Sequence, residues 1–344
     1  MTQWAVILAG GVGSRFWPLS TPQRPKQLLP LVDEEPLVVD AVRRLAPLVN
    51  ADHTLIITND MVAGAIRALL PELPPSNIIA EPRSAGTAPA LAWAAAEIVR
   101  RDGPEAVMLS VHADWAIGDP DAFRATLQRA ADAAIRHAGL VTVGVVPTRP
   151  DPGFGYIQPG ESLDGARRVA RFVEKPDRQT AERFVREGYL WNSGIFVWRA
   201  GDFLDEIRQH SPEVAPALTC ADDGDVQRFF ASVTPISVDQ GVLERSAHVL
   251  VLPGAFAWDD VGTWAALRRV RALDPHGNAA AGHALLVDAH DNVVHAEEGT
   301  VVLYGVSDLV VVARDGLTLV TTVERAADLK LLLDALPPTV RDTP

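Results

Sequence analysis

Short apolar runs alternate with longer amphipathic stretches through most of the chain. Residues 4–8, 55–58, 106–111, 140–145 and 194–198 are almost wholly apolar, as expected of strands covered on both faces. Between them, 37–48, 88–100 and 123–138 repeat apolar residues at helical spacing. Strands and helices in turn predict βαβ units around a mixed, mainly parallel sheet, and this alternation holds to about Arg271. From His283 the texture changes. The runs 284–287, 300–304, 309–313 and 317–321 are short, rich in Val, Leu and Thr, and separated by Asp, Asn and Gly turns. They predict a small β-rich module in which a few solenoid rungs would fit, although no clear period repeats. The expected linker is Asp274-Pro275-His276-Gly277-Asn278, and residues 323–336 read as a closing helix before a loose Pro-rich tail.

A length of 344 residues suits two domains, here 1–271 and 283–344. Hydrophobic residues at 48% and charged residues at 22% exclude disordered, collagen-like and coiled-coil chains. The net charge of −13 argues against a sequence-independent hold on nucleic acid or on an anionic membrane. Cys220 is the single cysteine, so no internal disulfide can form, and its neighbours Asp222, Asp223 and Asp225 oppose a thiolate nucleophile. No basic segment precedes the first apolar run and no apolar stretch nears the ~20 residues of a membrane span, so the expected location is cytoplasmic. Neither H-E-x-x-H nor G-x-S-x-G occurs, which removes two common hydrolase types.

The first run opens into Leu8-Ala9-Gly10-Gly11-Val12-Gly13-Ser14-Arg15. A glycine-rich turn after a first strand lets backbone N–H groups approach phosphate oxygens, though an ordinary tight turn has the same composition. Two familiar loops are ruled out. No Lys follows a Gly at Walker A spacing, and Phe16 stands where a dinucleotide fingerprint needs its third glycine. Lysine is scarce, with only Lys26, Lys175 and Lys330 present. Arginine cannot replace a compact ammonium as a point charge on phosphate, so Lys26 and Lys175 become candidate phosphate ligands beside Arg15. Asp114 should stand at the carboxyl end of a strand, where open α/β sheets place ligands. Asp114 and Asp260 together would suit a hard cation that shares substrate phosphates, or each could cap a helix.

Seven further strings stand in order: Glu81-Pro82, Thr87-Ala88-Pro89-Ala90, Ala113-Asp114, Gly153 to Ile157, Phe172 to Pro176, Trp191 to Phe196 and Trp258 to Trp264. With Leu8 to Leu19 and Pro25-Lys26-Gln27, they make the first 265 or so residues resemble the sugar-1-phosphate nucleotidylyltransferases. The branch most resembled joins GMP from GTP to mannose 1-phosphate. This resemblance implies a Rossmann-like nucleotidyltransferase domain followed by a β-rich, left-handed β-helix-like module, with Mg²⁺ as cofactor. It assigns Leu8, Gly10, Gly11, Gly13, Ser14, Arg15, Lys26, Glu81, Thr87, Ala88 and Asp114 to the nucleotide. Gly155, Glu174, Lys175, Asn192 and Asp260 fall to the sugar phosphate, with Asp114 and Asp260 as metal ligands. Arg15, Lys26, Asp114, Lys175 and Asp260 would form the catalytic set.

Each assignment has a plainer competitor. Glu81 would accept the paired N1–H and 2-amino donors of guanine, or be an exposed loop acid before Pro82. Lys175 would meet phosphate, or form a surface ion pair with Glu174 or Asp177. His112 reads as a satisfied strand-end residue or a group reaching phosphate. The chain departs from the resemblance at Ala85 and Gly86, where a basic residue and Asn are expected, which predicts added backbone freedom and altered base selectivity. Another sugar phosphate or nucleotide, or a silent sugar-nucleotide sensor, remains the alternative activity. The small β-rich module also predicts a homodimer through its exposed edge.

Overall fold

The computed structural model describes residues 1–11 and 13–341. Its first compact unit comprises Met1–Gly10, Val42–His112 and Asp119–Trp258. Within it, β1 (Gln3–Leu8), β2 (Thr54–Asn59), β3 (Ile78–Glu81) and β4 (Val107–His112) run parallel in the order β3-β2-β1-β4. The strand β5 (Ala116–Ile117) follows in sequence, and then β6 (Leu140–Val145), β7 (Tyr156–Leu163), β8 (Ala166–Val173), β9 (Leu190–Arg199) and β10 (Val249–Pro253) complete a nine-stranded mixed sheet. In it β9 lies antiparallel between β4 and β6, β10 lies parallel to β6, and β7 and β8 form an edge hairpin.

The apolar runs form these central strands because both faces are covered; Trp4 to Leu8 are all buried. One cover is the helix Thr87–Asp102, whose alanines at 88, 90, 92 and 94–96 are buried and permit close approach. Trp93 on it packs against Phe229 at 5.3 Å between ring centres. The altered loop before this helix is fixed rather than freed. Gly86 takes φ +88°, where an added Cβ would collide with the Ile236 carbonyl, and Ile236 N–H donates to Ala85 O at 3.0 Å.

The second unit is discontinuous, made of Gly11–Ala41, Ala113–Gly118 and Asp259–Pro344. After β11 (Trp258–Asp259) come β12 (Ala279–Ala281), β13 (Ala284–Val287), β14 (Val293–Ala296), β15 (Val301–Tyr304), β16 (Leu309–Arg314) and β17 (Leu317–Thr322). Parallel stacks β12-β14-β16 and β13-β15 make the β-helix rungs, and β17 closes one edge antiparallel to β16. Val293, Val310, Val312 and Leu319 from the rungs share one apolar cluster with Phe16, Trp17, Leu19 and Leu29.

Three expectations for this region change. The proposed linker at 274–278 is the first ordered turn of the rungs: Asn278 is buried, and Asp274 accepts from the His276 and Asn278 N–H groups, each at 2.9 Å. The closing helix is split into a turn at Arg325–Ala327 and a helix at Lys330–Ala335. The tail is not loose up to Arg341, since Pro338–Arg341 is helical and the Arg341 carbonyl accepts from Trp17 Nε1 at 3.0 Å. The step between rungs is hidden in the sequence because it is uneven, 14 residues from Ala279 to Val293 but 17 from Val293 to Val310 and from Ala284 to Val301, and Asn278 and Asn292 mark the first step alone. Asn292 donates to Asn278 Oδ1 at 2.9 Å and to Val306 O at 3.2 Å, and accepts from Leu309 N–H at 2.9 Å. Replacing it orphans buried groups on two rungs, so Asn292→Ala should lower stability by roughly 3 kcal/mol, read from the urea midpoint.

Candidate active site

In the second unit, the glycine loop is followed by a turn at Ser14–Phe16 that leaves Arg15 exposed. Val12 and the Ser14 side chain lie outside the described residues. Gly13 has φ +66°, and a Cβ there would overlap the Cβ of Lys26, so glycine is needed for both its backbone and its closeness. Lys26 is buried, with 5% of its surface exposed, in the turn Lys26–Leu28. Its Nζ donates to Asp114 Oδ2 at 2.9 Å and to the Asp260 carbonyl at 2.7 Å. Neither aspartate caps a helix; the following long helix is capped by Asp119 instead.

The Asp260 turn is held under strain. Val261, a β-branched residue, has φ +46°, a conformation that costs about 1–3 kcal/mol. Asp259 Oδ1 accepts from Val261 N–H at 2.9 Å, and the Asp259 carboxylate receives Arg269 at 2.6 and 3.0 Å. Gly262 must lack a side chain, because a Cβ would lie 2.5 Å from Asp260 Oδ2 and 3.5 Å from Arg15 Nη1. Arg15, Lys26, Asp114 and Asp260 are thereby collected into one group. Sequence reasoning missed Asp259 and Arg269; the doubled acid Asp259-Asp260 was the available sign. Among the described residues no three His, Cys, Asp or Glu side chains form an ion cage. Two hard carboxylates beside a phosphate-type cation set nevertheless fit a small divalent ion that takes its other ligands from phosphate and water.

The first unit contributes two further groups. Glu81 ends β3 and is buried, not an exposed loop acid. Its Oε1 has no hydrogen-bond partner among the described residues, and burial pushes its pKa up to about 7. A Cβ on Gly10 would stand 3.4 Å from Glu81 Oε2, an ordinary contact that places the glycine beside this carboxyl. Nearby in sequence, Thr87 Oγ1 accepts from Val238 N–H at 2.9 Å and Ala88 N–H donates to Ile236 O at 3.2 Å. Leu8 is buried opposite His112, the half-buried last residue of β4.

The remaining group surrounds Asn192 on β9. Asn192 Oδ1 accepts from Thr142 Oγ1 at 3.1 Å and its Nδ2 donates to Asp239 Oδ1 at 2.8 Å, which fixes the amide's orientation. Its N–H donates to Gly155 O at 2.8 Å, and a Cβ at Gly155 would come within 2.6 Å of Glu174 Oε2. Lys175, at φ +47°, is exposed and paired with Glu174, as the plainer alternative anticipated. Asp239 was not singled out from the sequence, where it lacks any motif. Burial, reinforced by the Glu174 charge, pushes it up to about 6.

A nucleotidyl transferase family model matches residues 4–276, and a MannoseP isomerase/GMP-like β-helix model matches 282–336. The chain belongs to the nucleotidyl transferase family. Similar proteins include the mannose-1-phosphate guanylyltransferase of Escherichia coli, 38% identical over 97% of this chain and 73% of that protein. The xanthan biosynthesis protein XanB of Xanthomonas campestris is also 38% identical, over 94% of this chain and 71% of its own length. The solved Thermus thermophilus protein described as a mannose-1-phosphate geranyltransferase superposes with a TM-score of 0.91 at 34% identity, covering 97% of this chain and 99% of that one. No described helix of this nucleotidyl transferase is long and apolar enough to cross a membrane.

The buried Glu81 gives a pH test that needs no substrate. Its folded value near 7 exceeds the unfolded 4.5, so stability is lost as pH rises through that window, by on the order of 3 kcal/mol. Glu81→Gln should therefore unfold at higher urea than the parent at about pH 8 and at a similar concentration near pH 4.

Proposed function

We propose that the chain transfers GMP from GTP to α-D-mannose 1-phosphate, releasing pyrophosphate and GDP-mannose. The observation that carries this is similarity to a protein named mannose-1-phosphate guanylyltransferase along 97% of the chain. The side-chain groups support it. Arg15, Lys26 and the Gly10, Gly11 and Gly13 amides are assigned to the triphosphate, with Leu8, Ser14, Thr87 and Ala88 completing the nucleotide contacts. Glu81 as carboxylate takes the N1–H and 2-amino donors of guanine, the unpartnered Oε1 supplying one acceptor. Glu174, Asn192 and the Gly155 backbone take sugar hydroxyls, and Lys175 leaves Glu174 for the sugar phosphate.

The attacking group is a phosphate oxygen of the substrate. With a second pKa near 6, a phosphomonoester is mostly dianionic at neutral pH and needs neither a general base nor a protein nucleophile. The protein's work is alignment and charge screening for one in-line displacement with inversion at the α-phosphorus. Asp114 and Asp260 would hold the divalent cation, taken as Mg²⁺, which supplies charge neutralisation on the phosphates. The setting is cytoplasmic, consistent with the single buried thiol. Exposed Leu285, Val287, Val302 and Tyr304 alternate with partly buried residues on the β13-β15 pair and supply an apolar face for a homodimer.

Pyrophosphate release measured across four nucleoside triphosphates and several sugar 1-phosphates should single out GTP with mannose 1-phosphate. Another preferred pair, or GDP-mannose binding without turnover in either direction, would replace this assignment. Asp114→Asn and Asp260→Asn should each lower kcat roughly 100-fold or more; Asp114→Asn, which neutralises the partner of buried Lys26, should also lower the urea midpoint, whereas Asp260→Asn keeps the carbonyl that Lys26 uses. Since Glu81 must be ionised to accept both donors, KM for GTP should fall as pH rises through about 7. Glu81→Gln should flatten that profile and erase the preference for GTP over ITP, which lacks the 2-amino group.

A further inference from the structure

The segment that carries Arg15 and Lys26 has little regular structure between Phe16 and Leu37, only the short turn Lys26–Leu28. Several of its backbone carbonyls are met by guanidinium groups from the C-terminal part of the same unit. Arg314, the last residue of β16, is buried, and its Nη1 donates to Pro18 O at 3.1 Å and to Leu19 O at 3.2 Å. Arg271 Nε donates to Leu31 O at 2.7 Å. Its Nη2 lies 2.9 Å from Nδ1 of buried His295, whose pKa burial pushes down to about 4, so the neutral ring accepts. From the segment itself, Arg24 reaches out to both oxygens of Glu297, at 2.7 and 2.9 Å, and Glu297 stands 3.5 Å from Arg314 Nε.

These anchors fall at residues 18, 19, 24 and 31, on both sides of Lys26. A side chain bonded to a carbonyl fixes the path of the backbone rather than one rotamer, and a bonded guanidinium loses little freedom because its donors are coplanar. We propose that the β-helix rungs are the positioning frame of the triphosphate-binding segment, with Arg314 as its positioning residue. This rests on the assignment of Arg15 and Lys26 to the triphosphate. Phe16, Trp17, Leu19 and Leu29 keep the segment attached to the apolar cluster without Arg314. What Arg314 adds is the register of the carbonyls, and through it the aim of the Lys26 ammonium.

The test compares Arg314→Met and Arg314→Lys with the parent by amide hydrogen exchange over residues 14–31 and by steady-state kinetics with each substrate varied. In Arg314→Met, exchange over 14–31 should speed about tenfold and KM for GTP should rise about tenfold, the scale of one charge-assisted hydrogen bond. KM for mannose 1-phosphate should stay within about twofold, and Arg314→Lys should fall between the two, since an ammonium satisfies one carbonyl well but not two in a plane. Unchanged exchange, or faster exchange with KM for GTP unchanged, would overturn the proposal, as would equal rises in both KM values. Should Arg314→Met not fold, Arg24→Gln, which removes a partly exposed anchor of the same segment, is read by the same criteria. A parent protein that does not turn over GTP would sink the catalytic assignment, and the exchange comparison would still decide whether the frame holds the segment.

Discussion

A single buried ammonium ties Lys26, Asp114 and Asp260 together. Lys26 Nζ is withdrawn from water and depends on the Asp114 carboxylate and the Asp260 carbonyl for its solvation. That need explains several features of the sequence at once. Gly13 must be glycine to let the Lys26 stem pass, Gly262 must be glycine beside the Asp260 carboxylate, and Val261 is kept in an unfavourable conformation so that the Asp260 carbonyl faces inward. Asp259 and Arg269 hold that turn from behind. Breaking one bond of this set leaves a dry charge, so the arrangement is all-or-none in character.

The first unit handles charge the opposite way. Glu81 and Asp239 are carboxyl groups in dry surroundings without a cationic partner at hydrogen-bond distance among the described residues, and both are held above the usual carboxylate range. An acid kept short of solvent gains more from an incoming N–H or O–H donor than one already hydrated, at the expense of resting stability. The two units thus differ in the sign of the charge they bury: one holds a paired ammonium, the other two under-solvated carboxyl groups.

Much of this was legible from residue order. The buried strands announced themselves because a parallel strand covered on both faces can only be apolar, and Lys26 and Asp114 stood out through lysine scarcity and strand-end placement. Asp239 was invisible because its environment is made by Asn192 and Glu174, distant in sequence and belonging to other elements. Gly86 misled for a related reason. From the sequence a glycine in place of Asn means freedom, whereas in the fold it marks a close approach by Ile236 that only the tertiary structure reveals. The rungs were half legible, since apolar residues such as Leu285, Val287, Val302 and Tyr304 face outward as well as inward and the stacked pair Asn278 and Asn292 is too short a repeat to register.

The discontinuous second unit bears on how the protein is made. Arg24 and its partner Glu297 are separated by 273 positions, and Arg314 meets Pro18 across 296. A ribosome adding about 5–20 residues per second therefore leaves the glycine-rich segment waiting roughly 15–60 seconds for the strands that complete its packing. During that interval Phe16, Trp17 and Leu19 have no finished cluster to enter. Until then these side chains are open to chaperone capture or to self-association.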